Sequence, residues 1–213
     1  MKKLIATVSA ILFVTLAAKA EIGVGITGAV HSIDASGTET TRQSGQKNSG
    51  SNTETKAIPE LFIENIYDDG KVLGISYIPT REVGSKSRSD SNSDGDTGTY
   101  TAKAELSNVI QIYTDIPVSE LGGYQTHVKL GLQHVTVDTL ESLNSGSSYD
   151  DEDLFGVTIG FGVKGDLPYG NNLYYKGELT YTNFEQYEGT SNGNRVEADL
   201  EDFAAKFSVG YKF

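Results

Sequence analysis

Apolar and polar residues alternate with a period of two along most of this chain. In the clearest stretch, single small or polar residues separate five apolar ones, Phe155, Val157, Ile159, Phe161 and Val163. Strict alternation of this kind predicts a β-strand with one apolar and one polar face. The pattern predicts eight such strands, at about 22–33, 57–67, 71–79, 99–114, 123–138, 154–164, 171–185 and 200–213.

The connectors between the predicted strands alternate in length. Long polar connectors are predicted at about 34–56, 81–98, 139–152 and 186–199, and short ones at about 68–71, 115–122 and 165–170. The first short connector contains Asp69-Gly70, a strong hairpin signal because glycine accepts positive φ angles. Tight turns at one end and long loops at the other are typical of a barrel in the outer membrane, with its turns in the periplasm.

The apolar face of the predicted strands has tyrosines near the strand ends, namely Tyr67, Tyr77, Tyr124, Tyr175, Tyr181 and Tyr211. Transmembrane barrels have such aromatic girdles at both membrane interfaces. A soluble β-sandwich also alternates, but it needs a second layer against its apolar face, and the chain has no convincing amphipathic helix to supply one. We therefore predict an all-β fold, an eight-stranded antiparallel up-and-down transmembrane β-barrel.

The opposite face of the strands is rich in charged residues of both signs. They are Glu60, Glu64, Lys103, Glu105, Lys129, Lys164, Lys176, Glu178 and Lys206. The interior of an eight-stranded barrel is just wide enough to be filled by side chains, and an unpaired buried charge costs on the order of several kcal/mol. We therefore predict that these residues form a paired polar network in the lumen, with Lys129 paired to Glu105.

The first twenty residues have a different character. Lys2 and Lys3 precede an apolar run over 4–18, and a small-residue motif ends at Ala20. These features predict a cleaved secretory signal peptide at 1–20 and a barrel domain at 21–213. Without Lys2, Lys3 and Lys19, 14 of the 17 basic residues remain against 29 acidic ones, which argues against nucleic acid as a partner. The chain has no cysteine and therefore no disulfide.

The last predicted strand ends in Lys206-Phe207-Ser208-Val209-Gly210-Tyr211-Lys212-Phe213. With the signal peptide and the eight alternating strands, this ending resembles the small eight-stranded outer-membrane β-barrel proteins of Gram-negative bacteria, such as the OmpA transmembrane domain and porin-like barrels. The resemblance implies localisation in the bacterial outer membrane and contact with outer-membrane lipids and lipopolysaccharide. It also implies that the barrel-assembly machinery recognises an assembly signal in the C-terminal strand, formed by Phe207, Val209, Tyr211 and Phe213.

For function, the pattern favours a structural or surface-interaction role in which the long extracellular loops contact an unknown extracellular ligand. A small-solute porin or channel is the first alternative, disfavoured because aqueous channels need about 16 strands. A lipid-modifying outer-membrane enzyme is the second. The histidines, His31, His127 and His134, form no recognisable catalytic motif. No catalytic residue, cofactor or metal site is therefore predicted.

Overall fold

The computed structural model describes residues 20–40, 42, 45–91, 97–142, 149–168 and 172–213, and their side chains except those of 86–91, 97–102 and 141–142. The predicted signal peptide lies outside the described residues, apart from Ala20. Among the described residues, no helix has the length and hydropathy needed to cross a membrane. The strands are β1 (Ala20–Thr40), β2 (Lys47–Tyr67), β3 (Val72–Ile78), β4 (Arg81–Ser91), β5 (Thr97–Leu121), β6 (Tyr124–Ser142), β7 (Glu152–Asp166), β8 (Leu173–Phe184), β9 (Tyr187–Ser191) and β10 (Asn194–Lys212).

The ten strand segments close into a barrel with eight strand positions, here called staves; a stave is one long strand or two consecutive segments in line. β3 and β4 are two parts of one stave, interrupted at Pro79, and β8 and β9 are two parts of another. Neighbouring staves pair antiparallel in chain order, and β10 returns to pair with β1 along nearly its whole length. The predicted fold class, an eight-stranded antiparallel up-and-down barrel, is confirmed.

The two ends of the barrel differ. At one end, here called the turn end, short connectors follow β2, β5 and β7, and Gly70, Gly122 and Gly123 adopt positive φ angles there. The prediction of a connector at 115–122 is wrong. β5 continues through Pro117 to Leu121, and the chain turns at Gly122 and Gly123. Proline is tolerated because the β5–β6 register shifts beside it.

The opposite end, here called the hairpin end, is more ordered than the sequence pattern indicated. Much of three of the four predicted long loops forms paired strand: β1 continues to Thr40 against Lys47 of β2, β4 pairs with β5, and β9 pairs with β10. Most residues of these stretches are polar, with only a few inward apolar ones such as Val83 and Tyr187. Each hairpin satisfies its backbone hydrogen-bonding groups by continuing the register of the wall below it.

An apolar belt surrounds the outside of the barrel. Its exposed residues include Ile26, Val30, Leu61, Leu130, Leu132, Val157, Ile159, Phe161, Leu179, Phe203 and Phe207. On β10 the outward residues extend from Phe203 to Phe213, and eleven residues on a tilted strand span about 25 Å, the height of a transmembrane barrel's apolar band. The predicted assembly-signal residues Phe207, Val209, Tyr211 and Phe213 lie on this outer face.

Aromatic residues border the belt at both ends. At the turn end Tyr124 packs edge-on against Tyr175, with ring centroids 6.4 Å apart. Tyr77 and Tyr181 are exposed nearer the hairpin end. Tyr67 departs from the predicted girdle, because its hydroxyl group is buried.

A bulge in β5 inverts the faces of that strand. Asn108 has a positive φ of 51°, and the register with β6 shifts between Ser107 and Ile110. As a result Leu106 is completely buried in the barrel while Ile110 is 40% exposed on the outside, although the alternation placed both on one face. An extra residue in a strand exchanges its inward and outward positions beyond the bulge.

Candidate functional site

Lys103 and Glu105, which were predicted to lie in the lumen, lie on the outer surface above the β5 bulge. Lys103 Nζ is 2.7 Å from Glu105 Oε1 and 3.1 Å from Glu82 Oε2, with all three side chains partly exposed. The pKa of Lys103 is raised above its ordinary value, chiefly by the hydrogen bond to Glu105 and next by the one to Glu82. The predicted lumen placement of both residues is wrong, because the bulge reverses the alternation that predicted it.

Six of the nine predicted residues do meet inside the barrel, in two clusters. The first cluster lies nearer the turn end and comprises Glu64, Asp115, His127, Lys129, Lys176 and Glu178. The second cluster lies nearer the hairpin end and comprises His31, Glu60, Arg81, Asp202 and Lys206. Lys164 is also on the inner side, where its Nζ donates to the carbonyl of Gly70 at 2.6 Å.

Acids and bases alternate through the first cluster. Lys176 Nζ lies 2.6 Å from Glu64 Oε2 and 3.5 Å from Asp115 Oδ2. Lys129 Nζ lies 2.9 Å from Asp115 Oδ1 and 3.0 Å from Glu178 Oε1. The partners of Lys129 are therefore Asp115 and Glu178, and the predicted pairing with Glu105 is wrong.

Tyrosine hydroxyls complete the hydrogen bonding of Glu64. Tyr113 donates to Glu64 Oε2 at 2.5 Å, and Tyr174 donates to Glu64 Oε1 at 2.8 Å. Gly74 makes room for one of these rings, since a Cβ atom there would lie 2.4 Å from the ring of Tyr113. A carboxylate that accepts from two hydroxyls and one ammonium has few unsatisfied lone pairs, as burial requires.

Three first-cluster residues have the ligand types of a metal site. Ligand atoms of Asp115, His127 and Glu178 lie within 4.8 Å of one another. The ammonium of Lys129, however, lies within 3.0 Å of both carboxylates. A lysine cation thus neutralises the negative charge that would attract a metal ion.

The second cluster is centred on His31. Its Nε2 lies 3.0 Å from Glu60 Oε1, and its Nδ1 lies 2.9 Å from Asp202 Oδ2. Lys206 Nζ is 2.8 Å from Glu60, and Arg81 Nη2 is 3.1 Å from Asp202. Each carboxylate is therefore contacted by two groups: Glu60 by His31 and Lys206, and Asp202 by His31 and Arg81.

The hydrogen bonds of His31 define its protonation state. Ionised carboxylates only accept hydrogen bonds, so both ring nitrogens must donate, and the ring is an imidazolium. The buried acids of the two clusters are Glu60, Glu64, Asp115, Glu178 and Asp202, and the buried bases are Arg81, Lys129, Lys176 and Lys206. With His31 charged, the five acids of the two clusters face five positive charges, those of the four bases and of His31.

An apolar layer lies above the charged clusters, towards the hairpin end. Its members are Ile33, Ile58, Ile78, Val83, Leu106, Val109, Val135, Val137, Leu154, Phe184, Tyr187 and Leu200. Ile33, Leu106, Val109 and Val135 have no measurable exposure. The two charged clusters and the apolar layer therefore fill the barrel one above the other along its axis.

Several interior residues were not predicted from the sequence. Asp115 was assigned to a connector and Arg81 to a loop, so neither had a strand face to be placed on. Asp202 lies on the predicted last strand, at a position two residues before Ala204 and on the same face. Extending the alternation of that strand by two residues would have found Asp202.

The comparisons with known proteins concern the fold alone. No protein-family model and no curated protein matches the sequence. Among solved structures, outer membrane protein OprG from Pseudomonas aeruginosa has a TM-score of 0.62 at 14% identity, covering 92% of this chain and 97% of OprG. Outer membrane protein AlkL in lipid bilayers has a TM-score of 0.53 at 11% identity, covering 92% of this chain and 90% of AlkL. With this fold and an apolar belt around it, the chain is a small eight-stranded β-barrel with the fold of these outer-membrane proteins.

Proposed function

We propose that this protein is a sealed barrel whose strands continue beyond the membrane as a rigid surface for binding an extracellular macromolecule. By the usual orientation of such barrels, the turn end faces the periplasm and the hairpin end faces the outside. The proposed role is binding, and neither solute transport nor catalysis is part of it.

The filled interior is the observation that carries this proposal. Lys176 and His127 lie in the middle of the lumen with 1% and 0% exposure, and no member of the apolar layer above them is more than 8% exposed. A solute would have to separate buried ion pairs and then displace packed apolar side chains, each at a cost of several kcal/mol. Both lumen histidines are hydrogen-bonded to carboxylates in this closed interior, which supports a structural role for them.

The hairpin end supports the binding role. Side chains bridge the paired strands above the belt: the hydroxyls of Thr38 and Ser49 are 2.9 Å apart, and Arg195 of β10 forms an ion pair with Glu188 of β9. A surface made of paired strands loses little conformational freedom when a partner binds, so less of the contact energy is spent on ordering it.

Two measurements on the intact protein test this function. In planar bilayers we expect no steady single-channel conductance, and in liposomes no sugar flux; either activity would overturn the sealed-barrel proposal. On living cells, a photoreactive residue at Thr53, exposed on the β2 extension, should crosslink to a macromolecule outside the bilayer. The same group at Leu132, in the belt, should crosslink to lipid. Only lipid products at both positions would contradict the surface role.

A further inference from the structure

The barrel wall has a seam above the belt, between β2 and β4. The β2–β3 ladder begins at Leu61, so residues 47–60 of β2 pair only with β1. Pro79 follows the end of β3, and the stave resumes as β4, which pairs only with β5. Each side of the seam is therefore a strand edge without a second strand neighbour in the described part of the chain. Such edges are ready templates for another strand.

A cavity of about 240 Å3 in the upper lumen adjoins this seam, and residues of β1, β2, β4, β5, β6, β7, β9 and β10 line it. Val83, Ala104 and Leu106 line it on the β4–β5 side, and Leu200 lines it from the opposite wall. Asn52 forms a side-chain bridge across the seam, with its Nδ2 donating to the carbonyl of Val83 at 3.4 Å. The fully buried side chain of Leu106 belongs both to the cavity lining and to the apolar layer, so the cavity is closed below.

The seam opens to water above the membrane. The exposed apolar residues nearest to it are Leu61 on β2 and Tyr77 on β3, at the upper border of the belt. Pro59 and Ala57 follow on the outer face of β2, and beyond them the outward residues along the seam are polar, including Thr53, Thr55 and Glu82. A lipid chain would have to leave the bilayer to reach the cavity, so the position favours a partner from the aqueous side.

We propose that the seam binds an extended polypeptide segment of an extracellular partner by strand addition, with one large apolar side chain in the cavity. This inference rests on the proposed surface-binding function and specifies its partner. An unpaired strand edge offers N–H and C=O groups that only another backbone can match along its length, while a pocket between strands selects the side chain. The cavity volume is below the roughly 300–1,000 Å3 of small-molecule pockets, which favours a single side chain.

The test uses displayed peptides of about nine residues, in which threonine alternates with randomised positions, selected on the full barrel in lipid nanodiscs. We expect the selected peptides to share one large apolar residue. Replacing that residue by alanine, or methylating alternate backbone amides, should weaken binding about tenfold or more. Binding that is unaffected by amide methylation would overturn strand addition.

Matched phenylalanine substitutions locate the site. Ala104→Phe fills the cavity and should weaken peptide binding about tenfold or more, whereas Ala57→Phe, on the exposed outer face of β2, should not. Ala35→Phe fills the cavity from the β1 wall. It replaces Ala104→Phe in the test if heat-dependent gel mobility shows that Ala104→Phe does not fold. Equal effects of inner and outer substitutions would overturn the assignment.

The possible outcomes distinguish a failure of strand addition from a failure of the proposed surface-binding function. If no peptide is selected, or if lauric acid occupies the cavity in place of peptide, strand addition is overturned. The proposed function still holds in that case, provided the barrel is non-conducting and Thr53 crosslinks to an external macromolecule. Steady conductance would overturn the function itself, whatever the peptide result.

Discussion

Lys176 is the most informative residue to change, because its buried ammonium joins Glu64 to Asp115. Lys176→Met keeps most of the side-chain volume and removes the charge. Breaking a buried ion pair by removing one partner costs about 3–5 kcal/mol. Since Tyr113 and Tyr174 still donate to Glu64, we expect the lower end of that range, about 3 kcal/mol. The assay is urea unfolding from lipid vesicles, followed by the gel mobility of unheated samples.

Lys103→Met is the matched control. The alternation places Lys103 in the same lumen as Lys176, whereas the structure places it outside, in partly exposed ion pairs with Glu82 and Glu105. Exposed ion pairs contribute about 0–1 kcal/mol, so this variant should unfold nearly as the parent does. Adding Glu64→Gln to Lys176→Met should recover part of the loss, because the uncompensated charge is then removed.

Two results would refute this reasoning. Equal losses for the two lysine variants would mean that the β5 bulge does not turn Lys103 outward. Strictly additive losses for Lys176→Met and Glu64→Gln would mean that the two residues are not coupled, although the ammonium and carboxylate are 2.6 Å apart.

Three further predictions concern other parts of the barrel. Both ring nitrogens of His31 should show protonated ¹⁵N chemical shifts at neutral pH, and one unprotonated nitrogen would contradict its double donation to carboxylates. Gly74→Ala should destabilise the barrel by about 1–3 kcal/mol by displacing Tyr113, whereas Gly28→Ala, with nothing within 4 Å, should stay within about 0.5 kcal/mol in urea unfolding. Deleting Phe213 should lower the amount of barrel in the outer membrane more than the free energy of unfolding of assembled barrel; normal membrane levels would argue against an assembly signal.

The barrel and its lipid-facing surface could be predicted from the sequence. Phe155, Val157, Ile159 and Phe161 alternate with small or polar residues, and all four are exposed on the outer belt. Each strand of a barrel contacts lipid on one side and the lumen on the other. Along a regular strand, a local period of two therefore records which residues face lipid and which face the lumen, and no long-range information is needed.

The exceptions arise where one residue changes the geometry of a strand. Asn108 starts the bulge that exchanges the two faces of β5, and an unbroken alternation cannot show such an insertion. The hairpin extensions were missed for a related reason. Thr40 and Lys47 lie in polar stretches without alternation, and it is continued backbone pairing with the neighbouring strand that makes them β-structure.

The sequence by itself determined that the chain alternates into eight strands, that one face is apolar and that the other must pair its charges. Only the tertiary structure decided which charges meet. Lys176 and Glu64 are 112 residues apart in the chain, and Lys129 bonds to Asp115 and Glu178, not to Glu105. Ring closure and strand register decide which side chains face one another across the lumen, and both depend on the pairing of every strand at once.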